Sequence, residues 1–374
     1  MKKLFVMAAL ACACLLGCEG VAPDNGNETP GGNENNTSDL KGAITLYSDR
    51  DIIMADDDHT AHLKVLLMDQ HGVEHDVTAD VEIYYEGSDK PVASPDFKTS
   101  QSGEYVFYAL RGLTLSNKVT VKALKGVSAL PADPSPASVD FRHRMMLLQH
   151  TGNECPNCPR LMDELRKLSL DESYNTLYHH VASHSYNTTD AAYSSAAASL
   201  SKVLNTTSYY PWLTYNLTTE EGYTADDFRG AIDRLHEDVA KASVAAAVSS
   251  VDNSIYVNVS MKAGVASKYR VAVWLLEDNI RSIQSGATAS WQNMHDNCLR
   301  AMFGNNRTEC IYGKNVGNLE AGQSCDFIAA FDLQPDWKAE NCKVMVIAVA
   351  GNGDYDLVNC AVCPVDASIT YDYK

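Results

Sequence analysis

The stretch Met145-Met146-Leu147-Leu148-Gln149-His150-Thr151-Gly152-Asn153-Glu154-Cys155-Pro156-Asn157-Cys158-Pro159 decides how the middle of this 374-residue chain is read. An apolar run leads into it, and Leu161, Leu165 and Leu168 follow with helical spacing. The order predicts a strand over 144–150, then two thiols three residues apart, then a helix to about Leu170. Backbone N–H groups without helical partners, and the positive end of the helix dipole, then lie beside the first sulfur. Both effects lower a thiol pKa and supply thiolate near neutral pH. Pro156 suits a first helical turn. Pro159 removes an N–H that would otherwise reach back to the Cys155 carbonyl. A bridge across so short a loop constrains the unfolded chain little, so stability alone is a weak reason for the pair.

Working outward, a strand is expected around 176–183. A helix carrying Tyr193, Ala197, Leu200 and Leu204 on one face follows it. Tyr209-Tyr210-Pro211 precedes a short strand, Trp212 to Tyr215. The next helix is opened by Thr224, with Asp227 completing a capping box and Phe228, Ile232, Leu235 and Val239 as its stripe. Alternating strands and helices predict an α/β layer over 139–242.

The dithiol at a strand–helix junction, Pro211 before a later strand, and the element order around both resemble the thioredoxin-like superfamily. The resemblance implies a cis peptide bond at Pro211 facing the sulfur, the kind of bond proline tolerates. It also implies an exposed attacking Cys155, a buried resolving Cys158, and a Tyr210 backbone that holds an extended substrate segment. Two residues depart from the pattern. Gln149 stands where the superfamily keeps a buried, proton-moving acid, and Glu154 stands where an aromatic is usual. A carboxylate beside Cys155 disfavours the thiolate. His150 would offset it if charged, although a packing role is the favoured reading of a lone histidine.

A closer resemblance covers most of 141–365. Thr151-Gly152, Cys155, Asn157, Cys158 and Pro159, then Glu277-Asp278, Gln284, His295 and Leu299-Arg300, are similar to motifs of the outer membrane protein 28-related lipoproteins of Gram-negative bacteria. That resemblance implies a thioredoxin-like part followed by a β domain, with no defined activity.

Towards the N-terminus, Lys2 and Lys3 precede an apolar run ending in Leu15-Leu16-Gly17-Cys18. This predicts a lipoprotein signal peptide over 1–17 and lipidation of Cys18. Residues 18–40 form a polar tether with little to bury. Between 41 and 124, short alternating segments separated by turn clusters predict a β-sandwich. Asp69 to Gly72 and Gly103-Glu104-Tyr105 to Ala109 resemble the turn and strand of bacterial immunoglobulin-like modules. A Pro/Ala/Ser linker, 130–138, comes next. From 243 to 374, strand signals at 254–259, 269–275, 325–331, 343–350 and 357–365 flank an irregular or partly helical piece, 282–319. The fold class expected is therefore multidomain: an α/β thioredoxin-like centre, 139–242, between two all-β sandwiches.

The net charge of −18 and the lack of a basic cluster exclude nucleic acid as a natural partner. Of 11 cysteines, Cys12, Cys14 and Cys18 lie at the exported end. The remainder is even in number, which in an exported chain favours disulfides over metal. Cys360 and Cys363 sit in a strand pattern and so face opposite sides. Cross-strand bridges from them to Cys342, Cys325 or the other C-terminal cysteines, Cys298 and Cys310, are the favoured expectation; the pairings stay open. His180 and His184 would share a strand face with no clear third metal ligand. Glu277-Asp278 near His295 reads as loop anchoring ahead of acid–base chemistry. No cofactor is expected.

The function expected is that of a lipid-anchored outer-membrane protein exchanging disulfides with exported proteins through Cys155, Cys158, Tyr210 and Pro211. The alternative is a binding or adhesion protein that uses the same fold as a scaffold. The sequence leaves open whether the chain is an enzyme.

Overall fold

The computed structural model describes residues 40–205, 209–351 and 353–374. The signal peptide, Cys18 and the tether lie outside them.

Residues 41–124 form two sheets. In Ala61–Met68, side chains alternate inward and outward, with Leu63, Val65 and Leu67 buried. This strand pairs with Ala43–Ser48, Glu74–Asp76 and Asp96–Phe97. The second sheet is built on Gly103–Arg111 and Val119–Leu124, which turn Phe107, Ala109, Val121 and Ala123 inward.

The rest of the chain is organised by an eight-stranded sheet. Its order is Trp212–Tyr215, Met145–Thr151, Tyr178–His184, Cys298–Met302, Ser267–Glu277, Cys342–Ala350 and Asp356–Pro364, with Lys314–Leu319 also paired to Ser267–Glu277. A four-stranded sheet, Ser324–Asp332, Ser254–Ala263, Ala242–Val251 and Ser368–Ile369, packs on one end. Val244, Val257 and Val259 there meet Val271, Val273, Val344 and Val346 of the large sheet. At the other end, α1 (Cys158–Ser169) and α3 (Ala225–His236) bury Leu161, Leu165, Phe228 and Ile232 against Met145 and Leu147. The opposite face carries α2 (Ser195–Val203), and α4 (Arg307–Tyr312) lies further along it, with Leu200 and Ile311 against Trp274 and Ile347.

Local signals set these helices. Thr224 caps α3: its Oγ1 accepts from the Asp227 N–H at 3.2 Å, and Asp227 Oδ2 accepts from the Thr224 N–H at 2.9 Å. Ser194 caps α2 in the same way, accepting from the Ala197 N–H at 3.0 Å.

The expected α/β thioredoxin-like centre between two sandwiches is not formed. The chain is predominantly β, with several sheets and only four α-helices among the described residues. The three strands of 139–242 do not close a sheet of their own. Tyr178–His184 continues in parallel register into Cys298–Met302, with Ala182 opposite Cys298 and the Ala182 N–H donating to Asn297 O at 2.9 Å. The physical reason lies in Val271 to Leu276, a run buried at every position. A sandwich strand buries one face and alternates; an uninterrupted apolar run needs cover on both. Helices supply it on one side and the four-stranded sheet on the other.

Asn359 stitches the two ends of this layer. Its Nδ2 donates to the carbonyls of Arg142 at 2.9 Å and Ala242 at 2.8 Å, and its Oδ1 accepts from the Arg144 N–H at 3.0 Å. Replacement by leucine leaves these buried backbone groups unpaired. Asn359→Leu should therefore lower stability by about 2–4 kcal/mol in urea unfolding; a change within error would show that water replaces the amide.

Candidate functional site

Met145–Thr151 ends against Trp212–Tyr215, with His150 opposite Trp212, and the chain then turns through Gly152 into the dithiol. A Cβ on Gly152 would sit 2.4 Å from the Tyr186 Cβ, so only glycine fits this turn. Cys155 and Cys158 are joined in a disulfide with Cα atoms 5.4 Å apart, and Cys158 is the first residue of α1. Cys158 is buried, as expected. Cys155 is not the exposed thiol expected: only 2% of it is accessible.

Against its loop lies a strap from the C-terminal half, residues 282–293. Gln284 Nε2 donates to the Cys155 carbonyl at 2.9 Å and to the Gly152 carbonyl at 3.3 Å. The Ser285 N–H donates to Asn153 O at 2.6 Å, and Asn153 Nδ2 donates to Ser282 Oγ at 2.8 Å. Gly286 has φ +72°, and a Cβ there would fall 2.4 Å from the Pro156 carbonyl oxygen. Gln292 Nε2 donates to the Pro159 carbonyl at 3.2 Å and to Asp163 Oδ1 at 3.0 Å.

The strap is framed by the downstream motif residues. Glu277 and Arg300, both buried, pair at 2.7 Å, and Arg300 also donates to the Ala191 carbonyl at 3.0 Å. Lys343 bonds Asp278 Oδ2 at 2.6 Å. Asp278 Oδ1 accepts from the Asn297 N–H at 2.6 Å, and His295 Nε2 lies 3.2 Å from the Ser282 carbonyl. Loop anchoring is thus what Glu277, Asp278 and His295 do.

The remaining residues singled out in the sequence fall as follows. The Tyr210–Pro211 peptide bond is cis, directly before the strand that pairs with Met145–Thr151. The Tyr210 hydroxyl bonds Ser185 Oγ at 3.0 Å, and its ring meets Tyr186 edge-on. Gln149 is buried and its Oε1 lies 3.1 Å from His180 Nε2. Glu154 is exposed and accepts from Thr189 Oγ1 at 3.1 Å. His150 is fully buried beside Ser201 Oγ at 3.2 Å; desolvation pushes its pKa down to about 3, so it stays neutral and supplies no cation. Among the described residues no three metal-ligating side chains converge, at the histidines or elsewhere.

The bridges expected among the C-terminal cysteines are absent. Cys298, Cys310, Cys325, Cys342, Cys360 and Cys363 are all free. Cys298, Cys342, Cys360 and Cys363 are buried instead, and Cys310 and Cys325 half-buried. Desolvation raises the thiol pKa of Cys325 and Cys363 to about 11 and of Cys342 to about 12, which keeps them protonated and inert.

Sequence reasoning missed Asp190. It is buried, and its Oδ2 accepts from the Asn153 N–H at 2.8 Å and lies 2.7 Å from His184 Nδ1. Burial pushes its pKa up, but the bond and charge of His184 and the N–H groups of Ala192 and Asn153 outweigh that and hold it at about 2. The acid beside the dithiol loop therefore comes from the loop after Tyr178–His184, not from position 149. Its signal was the adjacency of His184 and Asp190 across a short polar turn.

No family model matches the chain, and no curated protein does. Solved structures do. HBP35 of Porphyromonas gingivalis matches with a TM-score of 0.51 at 14% identity, over 60% of this chain and 76% of that one. A common fold over that part is shown. The surface layer protein SbsC, domains 4-9, aligns over 88% of this chain and 51% of that one at 12% identity, with a TM-score of only 0.18.

If the strap shields the disulfide, loosening it exposes the sulfurs. Gln284→Ala or Gly286→Ala should speed reduction of Cys155–Cys158 by dithiothreitol roughly three- to tenfold, followed by alkylation and mass. Unchanged rates would mean the strap moves freely already.

A second expectation concerns pH. Desolvation lowers the pKa of His150 and His180 to about 3 and of His179 and His295 to about 4. In the unfolded chain these rings titrate near 6.5. Between those values the unfolded state binds more protons, so stability is fully present above about 6.5 and declines as pH falls, by at most about 1.4 kcal/mol per pH unit for each ring. Urea unfolding from pH 7 to pH 4.5 should show that decline, with a shallower slope in His180→Asn; equal slopes would refute the assignment.

Proposed function

We propose that Cys155 and Cys158 exchange disulfides with exported proteins, at the surface of a lipid-anchored envelope protein. The observation that carries the reading is the bonded pair itself, at the start of α1, in a chain whose six other described cysteines are free thiols. The chemistry is balanced without a cofactor. A substrate thiolate attacks Cys155 Sγ, a mixed disulfide forms, and Cys158 leaves as thiolate at the helix N-terminus. A second substrate thiolate then attacks the substrate sulfur of that mixed disulfide. The substrate gains a disulfide, and Cys155 and Cys158 take up its two electrons and two protons. The reverse sequence reduces a substrate disulfide. In both directions the strap at Gln284 and Gly286 has to lift from Cys155 first. The Tyr210–Pro211 segment, beside the strand that leads into the dithiol, is the place for the substrate backbone.

The envelope setting rests on the leader and on Cys18, whose acylation would tether the chain. The motif resemblance to the outer membrane protein 28-related lipoproteins supports the same setting. One observation favours the second reading, a binding protein with a static disulfide: Cys155 is 2% accessible.

The two readings separate in one experiment on the full chain. Wild type should catalyse insulin-disulfide reduction with dithiothreitol, Cys155→Ala should lose that activity, and Cys18→Ala should leave the membrane fraction while keeping it. Equal rates for wild type and Cys155→Ala would reject exchange and leave the binding reading.

A further inference from the structure

A cavity of about 540 Å³ lies against α1. Its floor is the face of the large sheet carrying Gln149, His180 and His184; its walls are Met162 and Arg166 of α1 and Trp291 from the end of the strap. The volume suits a small organic molecule. Nothing in the dithiol chemistry requires it.

The floor holds an unsatisfied donor. Asn297 Nδ2 lies 3.3 Å from His180 Nδ1, and His180 Nε2 lies 3.1 Å from Gln149 Oε1. With Asn297 donating to Nδ1, the ring proton sits on Nε2 and is given to Gln149 Oε1. That chain fixes the amide and leaves Gln149 Nε2 buried with no partner. A buried donor left unpaired costs free energy that an acceptor on a ligand would recover.

The walls indicate the rest of the ligand. The Arg166 guanidinium lies 4.7 Å over the Trp291 ring and makes no ion pair with a described carboxylate. Arg144 and Lys343, nearby, are already paired, with Asp372 Oδ2 at 2.6 Å and with Asp278 Oδ2 at 2.6 Å. Asp296, the acid in the lining, already accepts from the Asn279 N–H at 2.8 Å. Arg166 thus offers the cavity wall an unpaired cation in a chain of net charge −18. Trp291, Tyr178 and the neutral imidazoles of His179, His180 and His295 offer flat walls.

We propose that this cavity binds a small aryl carboxylate, its carboxylate oxygen accepting from Gln149 Nε2 and its ring lying between α1 and Trp291. The proposal is independent of disulfide exchange. Calorimetric titration of the full chain with naphthalene-2-carboxylate should give saturable one-site binding. Gln149→Met should weaken it about tenfold, Trp291→Ala should weaken it comparably, and 2-naphthylmethylammonium should not bind. Trp291→Ala decides the matter should Gln149→Met fail to fold. Absence of saturable heat in wild type, equal affinity in a folded variant, or equal binding of the cation would each overturn the proposal.

Discussion

The structure depends on the parallel junction between Tyr178–His184 and Cys298–Met302. It is short, yet it decides what the molecule is. Without it the first three strands of the large sheet would end in an open edge, and the cover over the dithiol would have no fixed position. Through it the strand that follows the dithiol helix and the strand that follows the strap share one backbone ladder. The buried Glu277–Arg300 pair reinforces the junction from the neighbouring strand, where a lone charge would be costly.

Local structure was largely legible. The strand before Cys155, the helix after it, the Thr224 cap and the short Trp212–Tyr215 strand were readable because each depends on neighbours in sequence. What could not be read was the partner of Tyr178–His184. A single residue pair in register, Ala182 with Cys298, joins segments more than a hundred residues apart. No periodicity within either segment encodes that meeting. The apolar run Val271 to Leu276 did carry information about its surroundings. Its lack of alternation indicates cover on both faces, which two-layer reasoning overlooks.

The site was half visible for the same reason. Cys155, Cys158 and Pro211 occupy the positions read from the sequence. The exposure of Cys155 was misjudged because Gln284 and Gly286 arrive from far along the chain. The two stretches around Cys155 and from Glu277 to Arg300, far apart in sequence, meet in space. The misreading of the C-terminal thiols is different in kind. An even count favours bridges, but thiols such as Cys360, wholly enclosed in the core, behave as small apolar side chains.

The cover over the dithiol also has a meaning in time. The chain leaves the ribosome from its N-terminus. Cys155 and Cys158 therefore emerge while Gln284 and Gly286 are still to come. For that interval the two sulfurs are as open as any in an unfolded chain, and whatever oxidises them acts on a naked loop. Once residues near 300 complete the sheet, the strap closes and access passes from diffusion to conformational opening. The same pair of cysteines thus has two reactivities in the life of one molecule, the first set during synthesis and the second by the finished fold.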